Sequence, residues 1–192
     1  MDRYGLLLAP GASASSNQPA LVAVDQAATN AGFAVKRMDF PYTLAGRRAP
    51  DRPPVLVAAV VKEAASLAAG HELGPDRIFL GGRSMGGRMC SMAVAEGLAA
   101  AGLVLISYPL HPPGRPDKMR TEHFERIDLP CLFVSGTRDS FGSPAELEVA
   151  LALIPGPVSV HYLAGGDHGL RGRDGEVGAL VSGWLTEQTR SH

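Results

Sequence analysis

The sequence predicts a three-layer α/β/α domain on a mostly parallel sheet of about six strands. Leucine-rich or β-branched runs of strand length alternate with alanine-rich stretches of helical length, the pattern of right-handed βαβ units covered on both faces. The chain has 192 residues, within the span of a single domain of roughly 100 to 200. With 45% hydrophobic and 19% charged residues it has the balance of a folded unit and not of a disordered tail.

Residues 4–9 form the first strand, which ends at Pro10, Gly11 and a loop of small residues. Residues 17–31 follow as a helix with Leu21, Val24 and Ala28 on one face, closed by Gly32. Residues 33–38 are the second strand, 39–53 a Pro/Arg-rich loop, and 54–69 a helix closed by Gly70. The third strand spans 77–81, its helix 85–100, and the fourth strand 102–107. The alternation then pauses: residues 108–129 carry Pro109, Pro112, Pro113 and Pro116 among charges, and only the second half suits a short helix. It resumes with a strand at 131–135, a helix at 144–153, a strand at 158–163 and a final helix at 175–189. No repeat, low-complexity tract or linker divides the chain, so residues 1–192 read as one domain with a short lid-like segment at 108–128.

Charge and composition exclude several classes. Eighteen Lys plus Arg against nineteen Asp plus Glu give a formal net charge of -1, without the basic field a nucleic-acid-binding protein needs. The longest apolar runs, around 56–61 and 98–106, fall short of the ~20 residues of a bilayer span, so no membrane role is expected. Asp2 and Arg3 lead directly into a strand-like run, with no signal h-region or cleavage site, and a cytoplasmic protein is expected. Cys90 and Cys131 have no disulfide or zinc-ligand spacing, so both read as buried thiols and no metal or cofactor is expected.

The most informative segment follows the third strand. Gly82, Ser84 and Gly86 fit G-x-S-x-G between a strand and a helix, the setting of a nucleophile elbow. There the serine is held in a strained conformation, and side chains two positions before and after it would collide. The turn also places Ser84 at a helix N-terminus, which favours a developing oxyanion. A serine in such a turn can instead be a plain N-cap. Phosphate-cradle readings fail, because no G-x-x-x-x-G-K-[ST] exists and Arg83 and Ser84 stand where G-x-G-x-x-G needs glycine.

Order along the chain favours the nucleophile. A serine hydroxyl needs a neutral imidazole to take its proton, and the imidazole needs a carboxylate to fix its tautomer. Asp139 follows the strand at 131–135 and His168 the strand at 158–163, giving Ser, Asp, His on loops at one sheet edge. Asp139 can also be read as a turn or helix-cap residue, and Asp167 is the second-ranked acid. Of the other histidines, His161 lies inside a strand, His71 on a helix end and His192 at the chain end, while His111 and His123 sit in the interrupted segment as substrate-contact or surface residues. An oxyanion hole needs the amide of Met85 and one from the loop after the first strand, where Ala12 is preferred and Ser13 is its rival.

These segments, LAPGASASSN, DFPYTLAGRRAPDRPP, GGRSMGGRM, YPLHPPGRPDKMRTEHF, SGTRDSFG and GGDHGL, span nearly the whole chain. With them the sequence resembles the α/β-hydrolase superfamily, and in its small size the dienelactone-hydrolase-like members. More narrowly, it is similar to bacterial relatives of the testis-expressed and non-specific-lethal-complex third-subunit type. The resemblance implies a minimal α/β-hydrolase fold with Ser84 as nucleophile, Asp139 as acid and His168 as base. It implies no particular substrate. Dienelactone hydrolases carry a cysteine where Ser84 stands, and the pair of leading strands found in larger superfamily members is missing.

The expectation is acyl transfer from a small-molecule ester or thioester to water, in a shallow site for want of a large lid. Arg83, Arg88, Arg115, Lys118, Arg120 and Arg138 lie on or near the same edge. They read first as solvated charges or partners of acids, and otherwise as a preference for an anionic group, with Arg83, His111 and Arg115 as the substrate contacts. The alternative from another class is a catalytically silent interaction module presenting residues 110–116 and 39–53.

Overall fold

A computed structural model describes residues 4–190; Met1, Asp2, Arg3, Ser191 and His192 lie outside the described residues. Strands β1 (Gly5–Ala9), β2 (Ala34–Arg37), β3 (Ile78–Arg83), β4 (Gly102–Ile106), β5 (Cys131–Gly136) and β6 (Val158–Leu163) form one sheet. Their order is β2-β1-β3-β4-β5-β6, and every neighbouring pair is parallel.

Alternation along each strand sorts its side chains between two cores. Leu6, Leu8, Phe79, Val104, Ile106, Leu132 and Val134 pack with helices α1 (Pro19–Asn30) and α6 (Asp174–Arg190) on one face. On the other face Leu7, Leu80, Leu103, Leu105 and Phe133 pack with α3 (Pro53–His71), α4 (Met85–Ala95) and α5 (Pro144–Leu151). The short α2 (Pro41–Leu44) lies in the loop after β2. With helices on both faces, the architecture is the three-layer α/β/α sandwich that the sequence predicts.

Some boundaries differ, each for a local reason. Helix α3 runs through Gly70 and is capped by Glu72 in the left-handed region, φ 54° and ψ 40°, so the expected glycine stop lies inside it. Helix α4 ends five residues earlier than expected, because Gly97 turns the chain at φ 104°. Strand β3 runs on to Arg83, since its pairing with β4 continues to Arg83 opposite Ile106. Helix α3 is also long and apolar enough to cross a membrane by length and composition, contrary to the run-length expectation. Here Leu56, Val57, Val60, Ala64 and Leu67 bury its apolar stripe in the core, while Glu63 pairs with Lys36 of β2 at 2.7 Å.

The interrupted segment is anchored at both ends. Tyr108, Leu110, Phe124 and Ile127 are buried, and the Tyr108 ring meets Phe124 and Phe133 at 5.2 and 6.0 Å. Its expected short helix is a single 3₁₀ turn at Phe124–Arg126, and residues 113–118 between the anchors are exposed.

The connections after β1 and β3 leave in opposite directions across the sheet, because β2 and β3 flank β1 on its two sides. A crevice opens at such a switch point beyond the carboxyl ends of the strands. The loops after β1, β3, β5 and β6 all end on that edge.

Candidate active site

The turn between β3 and α4 holds Ser84 at φ 50° and ψ -117°, a conformation that L-residues seldom adopt. Its glycines are dictated by contact. A Cβ on Gly86 would strike the Ala9 carbonyl at the end of β1, and a Cβ on Gly82 would strike the same carbonyl and the backbone of Gly86 and Gly87. The elbow is therefore pressed against β1, which fixes where the serine stands. Ser84 heads α4 but makes no side-chain cap bond, so the N-cap alternative does not describe it.

Its hydroxyl lies 2.9 Å from His168 Nε2 instead. On the other side of the ring, Nδ1 lies 2.8 and 3.0 Å from the two carboxylate oxygens of Asp139. A carboxylate can only accept, so Nδ1–H donates and Nε2 is left to accept the serine proton. Asp139 is 6% exposed and also accepts from the Phe141 amide at 2.8 Å. Helix α5 is capped by Ser143 and Glu146 in a reciprocal capping box, so Asp139 is not spent there. The rival Asp167 is exposed and faces Arg138, Arg171 and Arg173 across a separate surface cavity.

Glycines again allow the approach, since a Cβ on Gly136 would run into the backbone of Gly166 and Asp167. Two further contacts hold His168, neither of them signalled by the sequence. Phe141 stacks on His168 with ring centroids 3.9 Å apart, and Arg83 Nη2 donates to the His168 carbonyl at 2.6 Å. Burial lowers the Arg83 pKa, with Asp139, Asp167 and Asp174 opposing the shift.

Among residues 11–14 of the loop after β1, three of the four amides are engaged. Gly11 donates to Gln18 Oε1 at 3.1 Å, Ser13 to the Tyr42 hydroxyl at 3.2 Å and Ala14 to the Gly11 carbonyl at 3.2 Å. The Ala12 amide has no hydrogen bond among the described residues, and Ala12 lines the cavity above Ser84 with Met85. Segment 39–53 braces this loop: Asp39 accepts from the Ser16 amide and hydroxyl at 2.7 and 2.8 Å, and Arg48 accepts from the Ser13 hydroxyl at 3.2 Å.

The cavity is about 420 Å³, and Leu56, Met89, Pro109 and Phe141 give it apolar walls. Of the six cations expected on this edge, Arg83, Arg88 and Arg120 line it. The expected contacts His111 and Arg115 do not. His111 is buried, its Nδ1 donating to the Pro112 carbonyl at 2.8 Å and its Nε2 3.5 Å from Glu146; exposed Arg115 pairs with Asp117 at 3.3 Å. Each is engaged by its own loop neighbours, which residue type alone does not reveal. Cys90 and Cys131 are buried, and burial pushes each thiol up to about 12, whereas Ser84 lines the cavity. Among the described residues no group of three His, Cys, Asp or Glu side chains is placed to hold a metal.

The sequence model of the family described as "Alpha/beta hydrolase domain" matches residues 2–182. An alpha-beta serine hydrolase homologue from Coxiella burnetii superposes with a TM-score of 0.79 at 17% identity, over 95% of this chain and 85% of that one. Est1E from Butyrivibrio proteoclasticus, solved with ferulic acid bound, gives 0.73 at 14% identity, over 97% and 90%. An esterase domain from Rhodothermus marinus gives 0.71 at 18% identity, over 96% and 87%. At these identities the likeness is one of fold.

Proposed function

The chain belongs to the alpha/beta hydrolase domain family, and within it we propose a serine-dependent carboxylic ester hydrolase that works through an acyl-enzyme on Ser84. The observation that carries this reading is the continuous hydrogen-bonded line from Ser84 through His168 to buried Asp139, opening on a cavity.

His168 Nε2 takes the Ser84 proton as Oγ attacks the substrate carbonyl, and Asp139 stabilises the imidazolium. The tetrahedral oxyanion is received by the amides of Met85 and Ala12; the spent Ser13 amide supports Ala12 as the second donor. Collapse breaks the bond to the alcohol or thiol, which leaves with the proton from His168. Water then attacks the acyl-enzyme, giving its proton to His168, and Ser84 regains a proton as the acid departs. The substrate is a small ester or thioester, in keeping with a 420 Å³ cavity bordered by the lid-like segment through Pro109 and Arg120. We place the chain near the small dienelactone-hydrolase-like members and the bacterial relatives of the testis-expressed and non-specific-lethal-complex third-subunit type, with Ser84 replacing the cysteine of the former.

Hydrolysis of short-chain nitrophenyl esters and acyl thioesters by wild type and Ser84→Ala tests the reading. We expect turnover by wild type and a loss of roughly 10³-fold or more in kcat for the variant. Turnover unaffected by Ser84→Ala overturns the assignment, and inactivity of both on every acyl substrate points to the interaction module.

A further inference from the structure

Arg88 and Arg120 approach the cavity from unrelated parts of the chain, one from the first turn of α4 and the other from within the interrupted segment. Among the described residues neither has a carboxylate within 4 Å of its guanidinium, unlike Arg37, Arg47, Arg115 and Arg173, which each hold an acid. Arg88 Nε is buried without a hydrogen-bond partner. The one acid lining the cavity, Asp51, is already held by Arg47 through two bonds of 2.8 and 3.1 Å. Glu122, two residues after Arg120, is exposed. Two unneutralised guanidiniums on the wall of a partly apolar cavity leave a donor set that an anionic oxygen group satisfies.

We infer that Arg88 and Arg120 form a subsite for an anionic group on the substrate, a carboxylate or a phosphate, so that the enzyme's esters or thioesters are negatively charged ones. This deepens the hydrolase reading and rests on it. Burial, and after it the charge of Arg88, already lowers the Arg120 pKa, and an anion between the two cations relieves their repulsion. Behind the subsite His123 Nε2 lies 2.7 Å from Ser91 Oγ, and the Ser91 hydroxyl donates to the Arg88 carbonyl at 2.8 Å. Burial, then the charge of Arg88, lowers the His123 pKa to about 4, so this prop stays neutral and adds no third positive charge at neutral pH.

The test pairs methyl monoesters of straight-chain dicarboxylic acids with methyl esters of monocarboxylic acids of equal chain length, read by proton release. A third series carries a terminal phosphate. We expect kcat/KM at least about tenfold higher for the anionic member in wild type. That ratio should fall to near unity in Arg88→Gln and Arg120→Gln, recover in part in Arg120→Lys, and persist in Lys118→Gln. The better of the two anionic series identifies carboxylate or phosphate. Equal turnover of anionic and neutral esters by wild type, or a preference that survives both glutamine variants, overturns the subsite. Calorimetric binding of the same monoesters to Ser84→Ala, with and without Arg120→Gln, separates the two readings. Binding that depends on Arg120 keeps the subsite even if no ester is turned over, whereas binding indifferent to it removes the subsite even in an active hydrolase.

Discussion

The two walls of the cavity are built on different principles. On the reacting side, every position is clamped by neighbouring groups. Ser84 is pressed against β1, Asp139 is fixed by the Phe141 amide, and His168 is gripped by Asp139, Phe141 and the Arg83 side chain. Elsewhere on the lining, Arg88 and Arg120 have no acid within 4 Å among the described residues. One wall is finished before substrate arrives and the other is left incomplete. Preorganisation is spent where charge develops in the transition state, and unmet hydrogen-bonding capacity is kept where a substrate must be chosen.

The contrast predicts that changes on the reacting wall affect all acyl substrates alike. Asp139→Asn keeps the shape but favours the wrong imidazole tautomer, and kcat should fall by roughly 10³- to 10⁴-fold for anionic and neutral esters equally. A loss confined to one ester class would dissolve the distinction between the walls. Gly86→Ala comes next, because the new methyl meets the Ala9 and Pro10 carbonyls. It should cost more than about 2 kcal/mol in urea unfolding and most of the activity. Unchanged stability would mean that the elbow is not pinned to β1.

Phe141→Ala removes the ring stacked on His168 while sparing the Asp139 contact through the Phe141 backbone amide. It should lower kcat by about tenfold with little change in KM, since ring position matters in the transition state. The effect outside the reacting wall is seen in stability and not in turnover. His123 is neutral in the folded protein down to about pH 4, whereas an unfolded histidine protonates near 6.5. Between those values the unfolded state binds more protons, so stability is full above about pH 6.5 and declines as pH falls toward 4, by at most about 1.4 kcal/mol per pH unit. His123→Asn should flatten that slope in urea titrations, and a slope unaltered by the substitution would remove His123 from the account.

The same division governs what was legible in the sequence. The sheet, its helices and the Ser84, Asp139, His168 line could be read because each rests on local pattern: alternation, a glycine two places either side of a serine, short glycine-rich loops after strands. The choice of Ala12 over Ser13 was open, because it depends on Tyr42, twenty-nine residues beyond Ser13, claiming the competing amide. The recognition wall could not be assigned, because it forms where segment 108–128 folds back beside α4. Residue type in the sequence favours His111 and Arg115 as contacts over Arg120. The Tyr108 and Phe124 anchors, which no periodicity announces, bring only Arg120 to the cavity.

The central claim is that Ser84 is a nucleophile activated by His168, and covalent labelling tests it most directly. A fluorophosphonate probe, followed by mass spectrometry of the intact protein and its peptides, should give one adduct located on Ser84. That adduct should be absent in Ser84→Ala and form at least tenfold more slowly in His168→Gln. No adduct on the folded wild-type protein, or one on another residue, would contradict the account.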